Sequence, residues 1–212
     1  MKRRSLGALG AAALASALLG GAWPLAHAAE EAPDAMIKRL SDEVLGAIRS
    51  DPAVHAGDIN KVMALVDSKI MPNVNFQRMT ASAVGPAWRQ ATPEQRQRLQ
   101  QEFKVLLVRT YAGALSQVSD EQVAMKPLRA APGDTDVVVR SEIRGRGEPI
   151  ALEYRLEKTP AGWKIYNLNV LGVWLVETYR SQFAQEINAR GVDGLIATLS
   201  DRNRANAGSG KG

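Results

Sequence analysis

Thr92-Pro93-Glu94-Gln95 constrains this chain more than any other four residues, because it starts a long helix and so sets the phase of every residue to Leu115. A threonine at the N-cap accepts a hydrogen bond from an otherwise orphaned backbone N–H. Proline in the first turn gives up a donor that has no partner there, and the glutamine three residues on reaches back to the cap's own N–H. From that start Leu99, Phe103, Leu106, Leu107, Thr110, Tyr111 and Leu115 recur at three- and four-residue spacing. The spacing predicts one inward apolar stripe, with Arg96, Gln100, Lys104 and Arg109 turned to solvent.

The segments before it are also helical in pattern. Asp34 to Ser50 carries Ile37, Leu40, Val44, Leu45 and Ile48 on one face, and Asp58 is placed to cap a helix bearing Ile59, Val62, Met63 and Val66 that Pro72 ends. Phe76, Met79 and Val84 predict a shorter helix closed by Gly85-Pro86. After Ser119 the period changes from 3.6 to two. Val123 to Leu128 reads as a short strand. Asp136 to Arg144 alternates Val137, Val139, Ser141 and Ile143 with Val138, Arg140, Glu142 and Arg144, and Ile150 to Lys158 alternates Ile150, Leu152, Tyr154 and Leu156 with charged residues. A third strand, Trp163 to Val170, puts Trp163 and Ile165 out of phase with Leu168 and Val170, which demands a bulge or burial on both sides. Helical spacing returns from Gly172 to Ala189, Gly191 interrupts it, and Val192 to Leu199 forms a closing helix. The fold class is α+β: an antiparallel meander, polar on one face and covered on the other by helices from both ends of the chain.

Residues 1 to 28 read as a secretory signal, with Lys2, Arg3 and Arg4 ahead of an apolar run and Ala26-His27-Ala28 as the cleavage site. Arg3-Arg4 leaves twin-arginine export open beside the general route. No later stretch approaches the roughly 18 apolar residues of a membrane span. There is no cysteine, so neither a disulfide nor a lipid-modified cysteine is available. The net charge of +5 is deceptive: the signal holds three of those charges and the polar tail 201–212 two more, leaving 29–200 neutral, which gives nucleic acid no purchase. Residues 29–200 are expected to form one domain, and the Gly-rich tail 201–212 to be disordered.

Catalytic chemistry finds few materials here. His27 belongs to the signal, so a relay or a zinc site would depend on His55 alone, which reads as a solvated loop residue in SDPAVHAGD. Glu142, Glu153 and Glu157 lie on the polar strand face interleaved with Arg140, Arg144 and Arg155, a pattern of cross-strand ion pairs rather than of an acid–base pair. Gly145-Arg146-Gly147 is too short for a dinucleotide loop. No cofactor or metal is implied.

Several words of the sequence, taken in order, resemble the MlaC or toluene-tolerance family of periplasmic phospholipid-binding proteins. They are Gly85-x-x-Trp88-Arg89-x-Ala91-Thr92-Pro93-Glu94-Gln95-Arg96 with Phe103, Leu107 and Thr110-Tyr111-Ala112; Pro72-Asn73-Val74-Asn75-Phe76; Trp163-Lys164-Ile165-Tyr166-Asn167; and Leu175-Val176-x-x-Tyr179-Arg180-x-x-Phe183. Asn75 and Asn167 stand where many members carry Asp, and Trp174 where a small residue is common. The resemblance implies a non-enzymatic carrier, soluble in the periplasm. Such a carrier takes phospholipid between an outer-membrane lipoprotein–porin complex and an inner-membrane MCE-domain ABC transporter and so maintains outer-membrane lipid asymmetry.

It also implies a hydrophobic pocket between sheet and helices. On the faces defined above, Val139, Ser141, Leu152, Tyr154, Leu168 and Val170 are expected to line its sheet side, and Met79, Phe103, Leu107 and Tyr111 its helix side. Gly85-Pro86, Gly172 and Gly191 fall at element junctions, as hinges or as simple helix and strand ends. Two other readings stay open from sequence alone: an exported hydrolase on the same scaffold, using its carboxylates or Ser141, and an envelope adaptor without a ligand.

Overall fold

The computed structural model describes residues 31–118 and 120–209. The expected signal 1–28 lies outside them. Helix α1, Pro33–Ser50, is followed by a four-residue helix α2, Pro52–His55, capped by the Asp51 carboxylate. Helix α3, Ile59–Leu65, begins at Asp58, whose side chain accepts from the Lys61 N–H, and then widens into a π turn, Val66–Ile70, and a 3-10 turn, Met71–Asn73. Helix α4, Phe76–Val84, ends at Gly85 with φ of 71°. Helix α5, Pro93–Tyr111, carries the full reciprocal capping box, Thr92 accepting from the Gln95 N–H and Gln95 accepting from the Thr92 N–H.

Strands β1, Gln122–Met125, β2, Asp136–Arg144, β3, Ile150–Thr159, β4, Gly162–Val170, and β5, Val173–Trp174, pair in chain order as one antiparallel sheet. The register aligns Val139 with Tyr154 and Ser141 with Leu152, then Leu152 with Val170 and Tyr154 with Leu168. Both resolutions of the β4 phase problem operate. Arg155 faces Asn167 while Leu156 faces Ile165, so Tyr166 is the extra residue of a bulge that brings Ile165 and Leu168 to the same face. Asn167 and Asn169, on the opposite face, are buried as well. A two-residue turn, Leu171 and Gly172, both at positive φ, joins β4 to β5. The four-residue β1 is shorter than the sequence pattern suggested.

The final helix α6, Leu175–Ser209, is broken at Gly191, whose φ of 69° and ψ of −172° belong to a region that only glycine occupies cheaply. Its second half corrects the expectation of a disordered tail as far as Ser209. The helix runs on because Asn203 is buried and its amide donates to the Glu102 carbonyl (3.0 Å) and carboxylate (2.8 Å) on α5. Another correction concerns α5 itself. Arg96, Gln100, Lys104 and Arg109 are all half-buried rather than wet, since α5 is packed on several sides, against α3, α4 and α6. Arg96 donates to the Trp88 carbonyl at 3.0 Å, Gln100 bonds back to the Arg96 carbonyl at 3.2 Å and Lys104 reaches Asp67, while the Arg109 Nε is buried.

Asn75 and Asn167 share a common geometry. Asn75 caps α4 through its carbonyl and donates through its amide to Glu157 (2.7 Å); Asn167 accepts from the Val176 N–H and donates to Glu177 (2.8 Å). Each amide thus uses a donor that a carboxylate lacks. Trp174, in turn, stacks under the Arg155 guanidinium, 4.1 Å from the ring centroid. Asn167→Asp should therefore place two carboxylates side by side at a buried position and cost about 1–3 kcal/mol at neutral pH. The new Asp has its folded pKa raised, so the loss grows as pH rises through the carboxylate range and shrinks below it; chemical denaturation at pH 4 and pH 7 measures the difference.

Candidate functional site

The interior is three apolar clusters around a hollow. One joins α4, α5 and α6 around Phe103; a second joins α1 to β2, β3 and β4 around Leu156; a third joins the end of α1 with α2, α3 and the end of α5 around Ile48. Where they meet lies a cavity of ≈ 380 Å³ walled by α1, α3 and its π turn, α4, α5 and the inner face of the sheet. That size falls within the range of about 300–1,000 Å³ typical of small-molecule sites. Nearly every lining side chain is aliphatic or aromatic; Ser41, Lys104, Tyr111 and Tyr154 supply the polar atoms.

Six of the ten residues expected at a pocket line this one: Met79, Leu107, Tyr111, Leu152, Tyr154 and Leu168. The other four do not, and each has a packing reason. Phe103 is wholly buried in an aromatic group, its ring centroid 5.8 Å from Phe76, 5.0 Å from Tyr179 and 5.2 Å from Phe183. Val139 is covered by the second cluster, where α1 lies directly on the sheet. Ser141 is buried beside Tyr154 with no wall of its own, and Val170 sits past the cavity at the Leu171–Gly172 turn. Sequence reasoning missed Leu40, Val44 and Leu45 of α1, Val62 and Leu65 of α3, and Val66 and Ile70 of the π turn. Most belonged to apolar stripes already visible in the sequence, but nothing in a stripe says that it faces a void rather than a neighbour.

Electrostatically the cavity is quiet. Burial pushes the Tyr154 phenol up from its ordinary value, with the Ser141 and Ser41 hydroxyls pulling the other way, and burial with the nearby Tyr179 raises Tyr111. Both phenols therefore stay neutral across the physiological range. Lys104 is the one charged lining residue among those described; its ammonium is 2.7 Å from the Asp67 carboxylate on the π turn.

The histidine and glutamates weighed for catalysis are scattered and occupied. His55 is not a solvated loop residue: it ends α2, is half-buried, and its Nε2 donates to the Val118 carbonyl at 2.8 Å. Glu153 pairs with Arg140 across β2 and β3 (2.6 Å), Glu142 with Lys126 just past the end of β1 and with Arg144 on its own strand, and Glu157 with Arg78 of α4. Arg155 reaches Glu177 (2.9 Å) instead of a strand carboxylate. Among the described residues no group of three or more His, Asp or Glu is disposed to hold a metal ion, and no helix is long and apolar enough to cross a membrane.

What the arrangement does well is hold hydrocarbon. Its wall offers apolar contact over nearly its whole extent and only a few hydrogen-bonding groups.

Comparison with known proteins gives this geometry a context. Residues 38–201 match the family model described as MlaC protein. The toluene tolerance protein ttg2D of Pseudomonas putida is 27% identical over 177 residues, 83% of this chain and 82% of that protein. The intermembrane phospholipid transport system binding protein MlaC of Haemophilus influenzae is 23% identical over 175 residues, 81% of this chain and 82% of that protein. The solved structure of a phospholipid-binding protein from Ralstonia solanacearum, in complex with a phospholipid, is 52% identical with a TM-score of 0.80, covering 82% of this chain and 98% of that one.

Phe103 and Leu107 stand one helical turn apart and separate anchor from wall. Phe103→Ala should destabilise by about 3–5 kcal/mol, as for a ring lost from a close-packed core, whereas Leu107→Ala, which only enlarges an existing hollow, should cost less than about 2 kcal/mol. Urea titration of both variants gives the comparison.

Proposed function

The chain belongs to the MlaC family, and from that premise we propose that it is a periplasmic phospholipid carrier. In this reading the leader 1–28 is removed on export and residues 29–200 form the lipid-binding body. The acyl chains occupy the cavity against Met79, Leu107, Tyr111, Leu152, Tyr154 and Leu168, with the headgroup toward solvent. The protein collects its lipid from one membrane complex and delivers it to another across the aqueous gap, the outer-membrane lipoprotein–porin complex and the inner-membrane MCE-type transporter being its two stations. It does so without catalysing a reaction.

The observation that carries this reading is the apolar hollow itself, in a chain 52% identical to a phospholipid-binding protein whose structure holds its lipid. The physical requirement agrees with it. Two acyl chains of about 30 methylenes in all, at roughly 0.8 kcal/mol each, cost on the order of 20 kcal/mol to expose, so a carrier that crosses water has to enclose most of them. A wall with four polar side chains among 25 residues meets that demand.

Native mass spectrometry of freshly purified protein should show an adduct of phospholipid mass. Leu152→Asp, at the half-buried cavity wall of β3, should leave a folded chain by circular dichroism that carries less than about a tenth of the wild-type lipid, since a charge among the acyl chains costs well over the 1.4 kcal/mol of one decade. Bare mass for the wild type, or a full lipid load in the variant, overturns the proposal.

A further inference from the structure

Lys104 is the oddity of the cavity. Its position on α5 is central to the lining face, one turn before Leu107 and Val108 and two before Tyr111, yet it ends in a charge. The side chain keeps a quarter of its surface exposed and its ammonium lies 2.7 Å from Asp67, a carboxylate half-exposed on the π turn Val66–Ile70. The aliphatic stem therefore forms wall while the tip, beside the half-exposed Asp67, meets water between α5 and the π turn. The other cation of the turn, Lys69, is turned away and held by Glu43 of α1 at 3.3 Å.

A phospholipid whose tails fill the hollow must bring its phosphate to the rim within a few bonds of them. We propose that the Lys104–Asp67 pair is the headgroup seat and selects zwitterionic headgroups bearing a primary amine, Lys104 taking the phosphodiester and Asp67 the ammonium. This rests on the phospholipid-carrier reading. The chemistry follows from the two signs of the pair. A phosphodiester that draws Lys104 from Asp67 leaves a carboxylate without its cation, and an ethanolamine ammonium on the same headgroup supplies the replacement; a phosphoglycerol headgroup offers only hydroxyls there and keeps its net negative charge beside Asp67. A flexible, strongly hydrated lysine suits such an exchange of partners better than a bidentate arginine would.

The test compares the lipid extracted from purified wild type, Asp67→Asn, Lys104→Met and Lys69→Met, all expressed in one host whose envelope holds both phosphatidylethanolamine and phosphatidylglycerol. The wild type should be enriched in the ethanolamine lipid over the host membrane. Asp67→Asn should shift the bound ratio toward phosphatidylglycerol by roughly twofold to fivefold, the effect of one partly screened charge contact. Lys104→Met should lose the enrichment as well, and Lys69→Met should keep the wild-type ratio. Wild-type ratios in both Asp67→Asn and Lys104→Met, in chains that melt like the wild type, overturn the proposal. So does saturable binding of inorganic phosphate at Lys104 in delipidated protein at micromolar concentration, which would make the seat one for free anions. No lipid in any sample strikes at the carrier reading instead, whereas lipid of unaltered headgroup ratio strikes only at the seat.

Discussion

A hollow that hydrocarbon walls but does not fill is the constraint around which this chain is arranged. Close packing is what makes a small domain stable, and the side chains around a pocket of ≈ 380 Å³ have protein neighbours on one side only. The clusters around the pocket are solid. Phe103, Phe183, Leu99, Leu195 and Leu199 are essentially without exposed surface on the α5–α6 side, and Ile37 and Leu156 are likewise on the α1–sheet side. The cavity lies between rigid masses, so its shape is set by what surrounds it rather than by its own lining.

Helix α5 is the hinge of that arrangement in the literal sense of position. One side of it enters the aromatic cluster with Phe76, Tyr179 and Phe183, another supports α3, and the third forms the cavity wall through Lys104, Leu107, Val108 and Tyr111. This explains why its polar residues are half-buried: a helix with three packed sides has little surface left to give to solvent. The same crowding explains α6, whose second half continues past Leu199 because α5 offers Asn203 a pair of acceptors.

The asparagines at 75 and 167 work in local matched pairs. Asn75 with Glu157 and Asn167 with Glu177 are donor–acceptor couples, and Arg155 is shared between Glu177 and the face of Trp174. They fix α4 and the start of α6 to the sheet, which keeps the cavity's floor and walls in register.

How much was legible beforehand follows from which interactions are local. The capping box at Thr92, the cap at Asp58, the strand alternation of β2 and β3 and the break at Gly191 depend on neighbours within a few residues, so the sequence by itself determined the elements, their order and the α+β class. The β4 bulge was visible as a phase conflict, though not its residue, Tyr166, because register belongs to the partner strand. The candidate site was half legible: Leu107 and Tyr111 line the cavity while Phe103 and Val139 are solid core, with the same periodicity in all four. Periodicity reports that a side chain leaves water; whether it then meets another side chain or a void is a matter of how α1, α3 and α5 cross over the sheet. Only tertiary structure decided that, and with it the turn of Lys104 from an expected solvent face into the one charge on the cavity wall among the described residues.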